Sequence, residues 1–287
     1  MFILSLELVL ILTYFLIQLW GSKLYKIRSS FYLALFTLIG SFILLAAAVS
    51  TLVLTGHLNL ICLENFHYSL DQSKLLSITW ALGFSSKIPI FPLHIWLPEV
   101  HAEASSSGSI ILAGIILKLG VYGLIRFDFV ILSAGTKYLS PIILVLGLIG
   151  SIGASINCVR QYDIKKLLAY SSISHMNFAN AGLYTLNIYG VLAALVTSYA
   201  HGLSSGALFT IAGIIYDRTQ SRNVLSLQTL FNFYPAAASV IFIMTLANLS
   251  FPGSINFIGE LLTLISIANI DLALTAMFSM NIFITAV

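Results

Sequence analysis

Six ionisable residues stand well inside long apolar runs of this chain: Glu7, Lys87, Lys118, His175, His201 and Glu260. Placing a charged side chain at the centre of a membrane helix costs about 2.5 to 3.5 kcal/mol. One such lysine alone is ordinarily explained by its long stem reaching up to the headgroups. Acids, lysines and histidines together are instead the set that a proton relay through a bundle interior requires. A Glu and a Lys brought together at membrane depth form a two-position switch. Apart, the lysine gives up its proton rather than hold an unsolvated charge; paired, the ion pair keeps it loaded. Histidine accepts and passes protons near neutral pH. Ser171, Ser172, Ser174, Asn177 and Asn180 surround His175, and Ser198, Ser204 and Ser205 flank His201. Such residues serve two ends at once, holding bridging water and letting helices pack closely.

The elements that carry these groups are membrane helices. Of 287 residues, 59% are hydrophobic and 8% charged, where a soluble domain carries roughly 25% charge. The net charge of +3 is too small and too dispersed for a nucleic-acid-binding face. Cys62 and Cys158 lie far apart without a C-x-x-C spacing, so the sequence offers neither a zinc site nor an iron-sulfur ligand set. No glycine-rich nucleotide loop occurs either.

A bilayer core about 30 Å thick needs about 20 apolar residues per helix. Segments near residues 3 to 20, 31 to 55, 75 to 96, 107 to 126, 139 to 159, 164 to 184, 187 to 216, 231 to 269 and 271 to 287 meet that need. The expected fold is an all-α polytopic bundle without an extramembrane domain. The eighth segment is too long for one span and contains Phe251-Pro252-Gly253, so it reads as two half-helices meeting within the membrane. Pro89 and Pro92 interrupt the third in the same way, just after Lys87. Each break lies beside an ionisable residue, a pattern that points to a transport site. The first segment has no basic residue before it and reads as retained rather than cleaved. Lys23, Lys26 and Arg28 after it place that joint inside, together with Arg160, Lys165, Lys166, Arg218 and Arg222; Glu99 and Glu103 share that side, and the amino terminus is expected outside.

These residues resemble one family. The motifs are Lys87-Ile88-Pro89-Ile90-Phe91-Pro92-Leu93-His94-Ile95-Trp96-Leu97-Pro98-Glu99-Val100-His101-Ala102-Glu103, and Lys118-Leu119-Gly120-Val121-Tyr122-Gly123. Further on stand Arg160-Gln161-Tyr162-Asp163-Ile164-Lys165, Ser171-Ser172-Ile173-Ser174-His175-Met176, and Ala200-His201-Gly202-Leu203-Ser204-Ser205. Asn248-Leu249-Ser250-Phe251-Pro252-Gly253 and Asn256-Phe257-Ile258-Gly259-Glu260 complete the set. Over nearly its whole length the chain is similar to the antiporter-like subunits of respiratory complex I, which are related to multisubunit sodium/proton antiporters. The resemblance implies an inverted pair of helix repeats, each with a broken helix. Residues 1–126 would form the first half, as an incomplete repeat of four membrane helices, and residues 127–287 the second, with five.

It also implies roles: Glu7 as the acidic partner of Lys87, Lys118 as the central carrier, His175 and His201 as connectors, and Glu260 as the terminal acid. An acid at 260, where many members carry lysine, narrows the likeness to one branch of the family. The nine segments match only the fifth to thirteenth helices of the family. Glu7 lies six residues from Met1, about 9 Å of helix against about 15 Å for half a bilayer core. A separate chain or accessory subunit is therefore expected to cover the first helix. Ser105-Ser106-Ser107 departs from the family, which commonly has a proline after the Glu-Ala pair.

The function implied is proton translocation coupled to electron transfer from NADH to ubiquinone, in the mitochondrial inner membrane. The chain would be a subunit of that enzyme, without a redox centre of its own. NADH, FMN, iron-sulfur clusters and ubiquinone would reside in other subunits, and the partners would be neighbouring membrane-arm subunits and lipids. Sodium/proton exchange without redox coupling would use the same charges, and a scaffold that no longer conducts is the third reading. Six retained buried ionisable groups argue against the scaffold.

Overall fold

The computed structural model describes residues 1–21, 25–224 and 235–286; Lys23, residues 231 to 234 of the eighth expected segment and Val287 lie outside the described residues. The helices are α1 (Phe2–Trp20), α2 (Lys26–Thr55), α3 (Leu60–Glu64), α4 (Leu70–Ser85), α5 (Trp96–Glu103) and α6 (Ser106–Phe129). They continue as α7 (Ser133–Val159), α8 (Ile164–Leu183), α9 (Ile188–Thr219), α10 (Pro235–Asn248), α11 (Ile255–Ala268) and α12 (Leu272–Ala286). Among the described residues α1, α2, α6, α7 and α9 are long and apolar enough to cross a membrane. The all-α expectation is borne out, and the apolar runs end where the chain supplies caps. Ser69 and Gln72 form a capping box at the start of α4, Asp163 caps α8 and Ser254 caps α11.

The structure departs from the expected segments in three places. The third is interrupted as expected, but with other bounds: α4 starts at Leu70 and ends at Ser85, turns occupy 86–95, and the short α5 follows. Pro89 and Pro92 have no N–H to give, so the ladder cannot continue through them, whereas Pro98 sits in the first turn of α5, where no donor is needed. The fifth segment starts at Ser133 rather than 139 and carries Pro141 inside the helix. The five-residue α3 was not expected. The eighth segment does divide as expected. Between α10 and α11 the backbone turns left-handed at Ser250 (φ 56°) and Gly253 (φ 105°), and glycine meets that requirement without strain.

Packing follows the order of the chain. α1 lies on α2, α2 on α4, α4 on α7, α7 on α8, and α9 on α8, α10 and α11. Contact between α9 and α11 is close enough that a Cβ on Gly259 would stand 2.4 Å from Thr197 Cγ2, as small residues at membrane helix interfaces allow. Leu4, Leu8, Ile11 and Phe15 face outward on α1, while the bundle interior holds serines, threonines, asparagines and the ionisable groups. This inside-out polarity suits a solvent of lipid tails. At one end of the bundle Lys166 Nζ lies 2.8 Å from Glu99 Oε1, Lys165 Nζ donates to Ala104 O at 2.7 Å, and Arg222 donates to Ala102 O.

Candidate functional site

Two groups of ionisable side chains occupy the interior. The first is built by α1 and the break after α4. Lys87 leaves α4 just past its end, so its stem runs into the bundle instead of along a helix surface; the residue is 1% exposed. Its ammonium donates to Thr37 O at 3.0 Å and stands 3.4 Å from Glu7 Oε1. Glu7 is 23% exposed and borders a cavity of about 350 Å³ between α1 and α2, lined also by Leu10, Tyr14, Phe31 and Thr37.

The second group is a chain of contacts across four helices. Lys118 lies on α6 beside Leu112–Ile116, where the helix widens into π-type turns. Such widenings are frequent at functional sites. Lys118 Nζ donates to Ala113 O and lies 3.0 Å from His201 Nδ1 on α9. The rings of His201 and His175 are 5.6 Å apart between centroids. His175 Nδ1 on α8 then lies 3.0 Å from Glu260 Oε1 on α11. An ammonium donating to a neutral imidazole can hand it a proton and become the acceptor; the imidazole–carboxyl contact permits the same exchange. Lys118–His201 and His175–Glu260 are thus two donor–acceptor contacts that face each other across the two rings, with His201 Nε2 lacking a hydrogen-bond partner among the described residues. No hydrogen bond joins Lys87 to Lys118 among the described residues.

The second helix break is wired into this group. Ser204 on α9 donates to Asn248 Oδ1 at 3.3 Å, Asn248 Nδ2 donates to Ser171 Oγ at 3.4 Å, and Asn256 Nδ2 donates to Ala247 O at 3.0 Å. The carbonyl of Ala247, freed by the break, therefore finds a side-chain donor, as irregular backbone at membrane depth requires. The other small polar residues divide by what they touch. Ser172, Ser198 and Ser205 bond carbonyls of their own helices. Ser174 bonds Ser155 at 2.9 Å and Asn281 at 3.2 Å, fastening α7 and α12 to α8. Neither polar atom of the buried Asn180 amide has a hydrogen-bond partner among the described residues.

Two buried groups carried no assignment in the sequence reading. Asp128, fully buried, accepts from Ser77 Oγ at 2.6 Å and Tyr184 OH at 3.0 Å. It lies beyond the expected end of its segment, beside Arg126, and looks like a loop acid in sequence. His101, also fully buried, stacks on Phe209 at 4.6 Å, and neither ring nitrogen has a hydrogen-bond partner among the described residues. Among the described residues no cluster of three His, Cys, Asp or Glu is gathered to hold a metal ion.

A helical bundle with two broken helices and buried lysines facing acids and histidines is the architecture of antiporter-like membrane subunits. The chain belongs to the NADH:quinone oxidoreductase/Mrp antiporter transmembrane family, whose model matches residues 1–285. It is 39% identical over 286 residues to NADH-ubiquinone oxidoreductase chain 4 of Chondrus crispus, covering 100% of this chain and 58% of that one. It is 42% identical over 259 residues to the protein of the same name from Marchantia polymorpha, covering 90% and 52%. The chain thus spans little more than half the length of these relatives. A chain of respiratory complex I from Thermus thermophilus with bound NADH superposes with a TM-score of 0.94 at 30% identity, over 99% of this chain and 61% of that one. A chain of the Mrp complex from Dietzia sp. shares the fold, with a TM-score of 0.86 at 21% identity over 99% and 32% of the respective chains.

Proposed function

We propose that this chain moves protons through the membrane arm of an NADH:ubiquinone oxidoreductase. The observation that carries this reading is the run Lys118–His201–His175–Glu260, with contacts of 3.0 Å at both ends and a 5.6 Å ring separation between. Lys118 is the central carrier, His201 and His175 pass the proton, and Glu260 is the exit or coupling acid. Glu7 and Lys87 form the modulating pair: when they separate, Lys87 gives up its proton, and when they close, it reloads.

In this reading residues 1–126 and 127–287 act as the two halves of one transport unit, and electron transfer elsewhere in the complex changes the charge at one end of the polar axis. NADH, FMN, iron-sulfur clusters and ubiquinone belong to other subunits. The partners are neighbouring membrane-arm subunits and lipid. The location is the mitochondrial inner membrane, the compartment expected of subunits of this type in eukaryotes.

The experiment is Lys118→Met in the assembled complex, with NADH-driven proton uptake into sealed vesicles measured beside quinone reduction. Pumping and coupled turnover should both fall. Unchanged pumping with normal assembly would remove Lys118 from the path.

A further inference from the structure

Pro89 O is one of the carbonyls that the break after α4 leaves without its usual donor. In a continuous helix, the oxygen of Pro89 would bond the N–H of residue 92 or 93. Residue 92 is a proline with no N–H, and Leu93 N–H goes to Ile90 O at 2.7 Å. No main-chain N–H reaches Pro89 O among the described residues. The donor comes from another helix: Asn177 Nδ2 on α8 bonds Pro89 O at 2.9 Å and uses its second hydrogen on Ile173 O at 2.8 Å. Two carbonyls on one side of the amide fix which end is nitrogen, since the flipped amide would set oxygen against both. Asn177 is fully buried, and its Oδ1 has no hydrogen-bond partner among the described residues. Space for the amide depends on α7, where a Cβ on Gly150 would stand 2.6 Å from Asn177 Oδ1.

The placement of this bond ties two parts of the site together. Pro89 is two residues beyond Lys87, and Asn177 is two residues beyond His175. One side chain thus fastens the irregular backbone that carries Lys87 to the helix that presents His175 to Glu260. We propose that Asn177 is a positioning residue: it transmits movement of the Lys87 break to the His175–Glu260 contact, coupling the modulating pair to the relay without a charged group between them. Lys87 is drawn toward Glu7 or released from it, the 87–90 backbone shifts with it, and the bond to Asn177 carries that shift into α8. This inference rests on the proton-transport reading above.

The test uses the assembled quinone reductase in sealed vesicles, with three single variants, Asn177→Leu, Glu7→Gln and Lys118→Met, and the double variant of the first two. Leucine fills the amide's volume and donates nothing. Asn177→Leu should slow NADH-driven pumping about threefold to tenfold, the range expected for losing the bond to Pro89 O, the one of its two bonds that crosses between elements. Because Asn177 acts through the same break as Glu7, the double variant should pump no more slowly than Glu7→Gln alone; losses that multiply would mean an independent packing defect and overturn the proposal. Wild-type pumping in Asn177→Leu, alongside a defective Lys118→Met, would overturn the coupling role and leave proton transport standing. Normal pumping in Lys118→Met would sink the proton-transport reading itself. If Asn177→Leu does not assemble, Gly150→Ala displaces the amide without deleting it, and the same comparison with Glu7→Gln decides.

Discussion

His175 Nδ1 on α8 lies 3.0 Å from Glu260 Oε1 on α11, and both side chains are about nine-tenths buried. A contact this short lets a proton pass between imidazole and carboxyl, the exchange that proton transport would use. Glu260→Gln removes that exchange, since an amide cannot take up the proton. Proton pumping should fall at least about tenfold, the lower range for losing a positioned acid or base, while the amount of assembled complex changes little because glutamine can still bond Nδ1. Vesicle acidification measured against turnover of the same preparation checks this, and full pumping would take Glu260 out of the path.

Lys118 offers a way to separate charge from proton exchange. Its Nζ lies 3.0 Å from His201 Nδ1, so a proton can cross directly. Arginine keeps the positive charge but does not deprotonate in proteins. Lys118→Arg should therefore pump as poorly as Lys118→Met, even where the complex assembles and reduces quinone. Substantial pumping by the arginine variant would mean that Lys118 acts only as a fixed charge.

Much of this site was legible in the residues, and the limits are instructive. Glu7, Lys87, Lys118, His175, His201 and Glu260 stood out because charge within apolar runs is expensive, and the structure sets Lys118 against His201, His175 against Glu260 with the two rings 5.6 Å apart, and Glu7 against Lys87 in a separate pair. The break at 249–254 was readable from Pro252 and Gly253, because those residues act on their own backbone. Asp128 was not readable. Its importance comes from Ser77 and Tyr184, 51 and 56 positions away, and no local pattern announces a partner at that distance. Asn177 was noticed only as a polar neighbour of His175; its bond to Pro89 O, 88 positions away, depends on tertiary packing. Segment ends near prolines were the least legible, since Pro141 is carried inside α7 while Pro89 and Pro92 end α4.

The Glu7–Lys87 pair should reveal itself through assembly as well as transport. Lys87 is 1% exposed and relies on Glu7 and on Thr37 O. Removing one partner of a buried pair strands the other, at a cost of about 3 to 5 kcal/mol where burial is complete and less here because Glu7 is partly open. Glu7→Gln should lower the yield of assembled complex, and the double variant Glu7→Gln with Lys87→Met should recover part of it by removing the stranded ammonium. Native-gel quantitation of the complex in the same membranes measures both, and a double variant worse than either single one would contradict the pairing.

Asp128 separates structural polarity from transport. Its carboxyl joins Ser77 on α4 to Tyr184 beyond the end of α8, and Ser140 on α7 donates to Tyr184 O at 2.5 Å. Four elements meet at this knot. The rings of Trp80, Phe84 and Phe127 stack with centroids 5.0 to 6.3 Å apart, and among the described residues no hydrogen bond joins Asp128, Ser77 or Tyr184 to Lys118, His201, His175 or Glu260. Asp128→Ala strands two buried hydroxyls at about 1 to 3 kcal/mol each, so the solubilised complex should lose thermal stability, and Asp128→Asn, which keeps an acceptor, should lose less. Pumping per quinone reduced should stay at the parental value in both. A fall in that ratio with intact assembly would show that protons reach Asp128 after all.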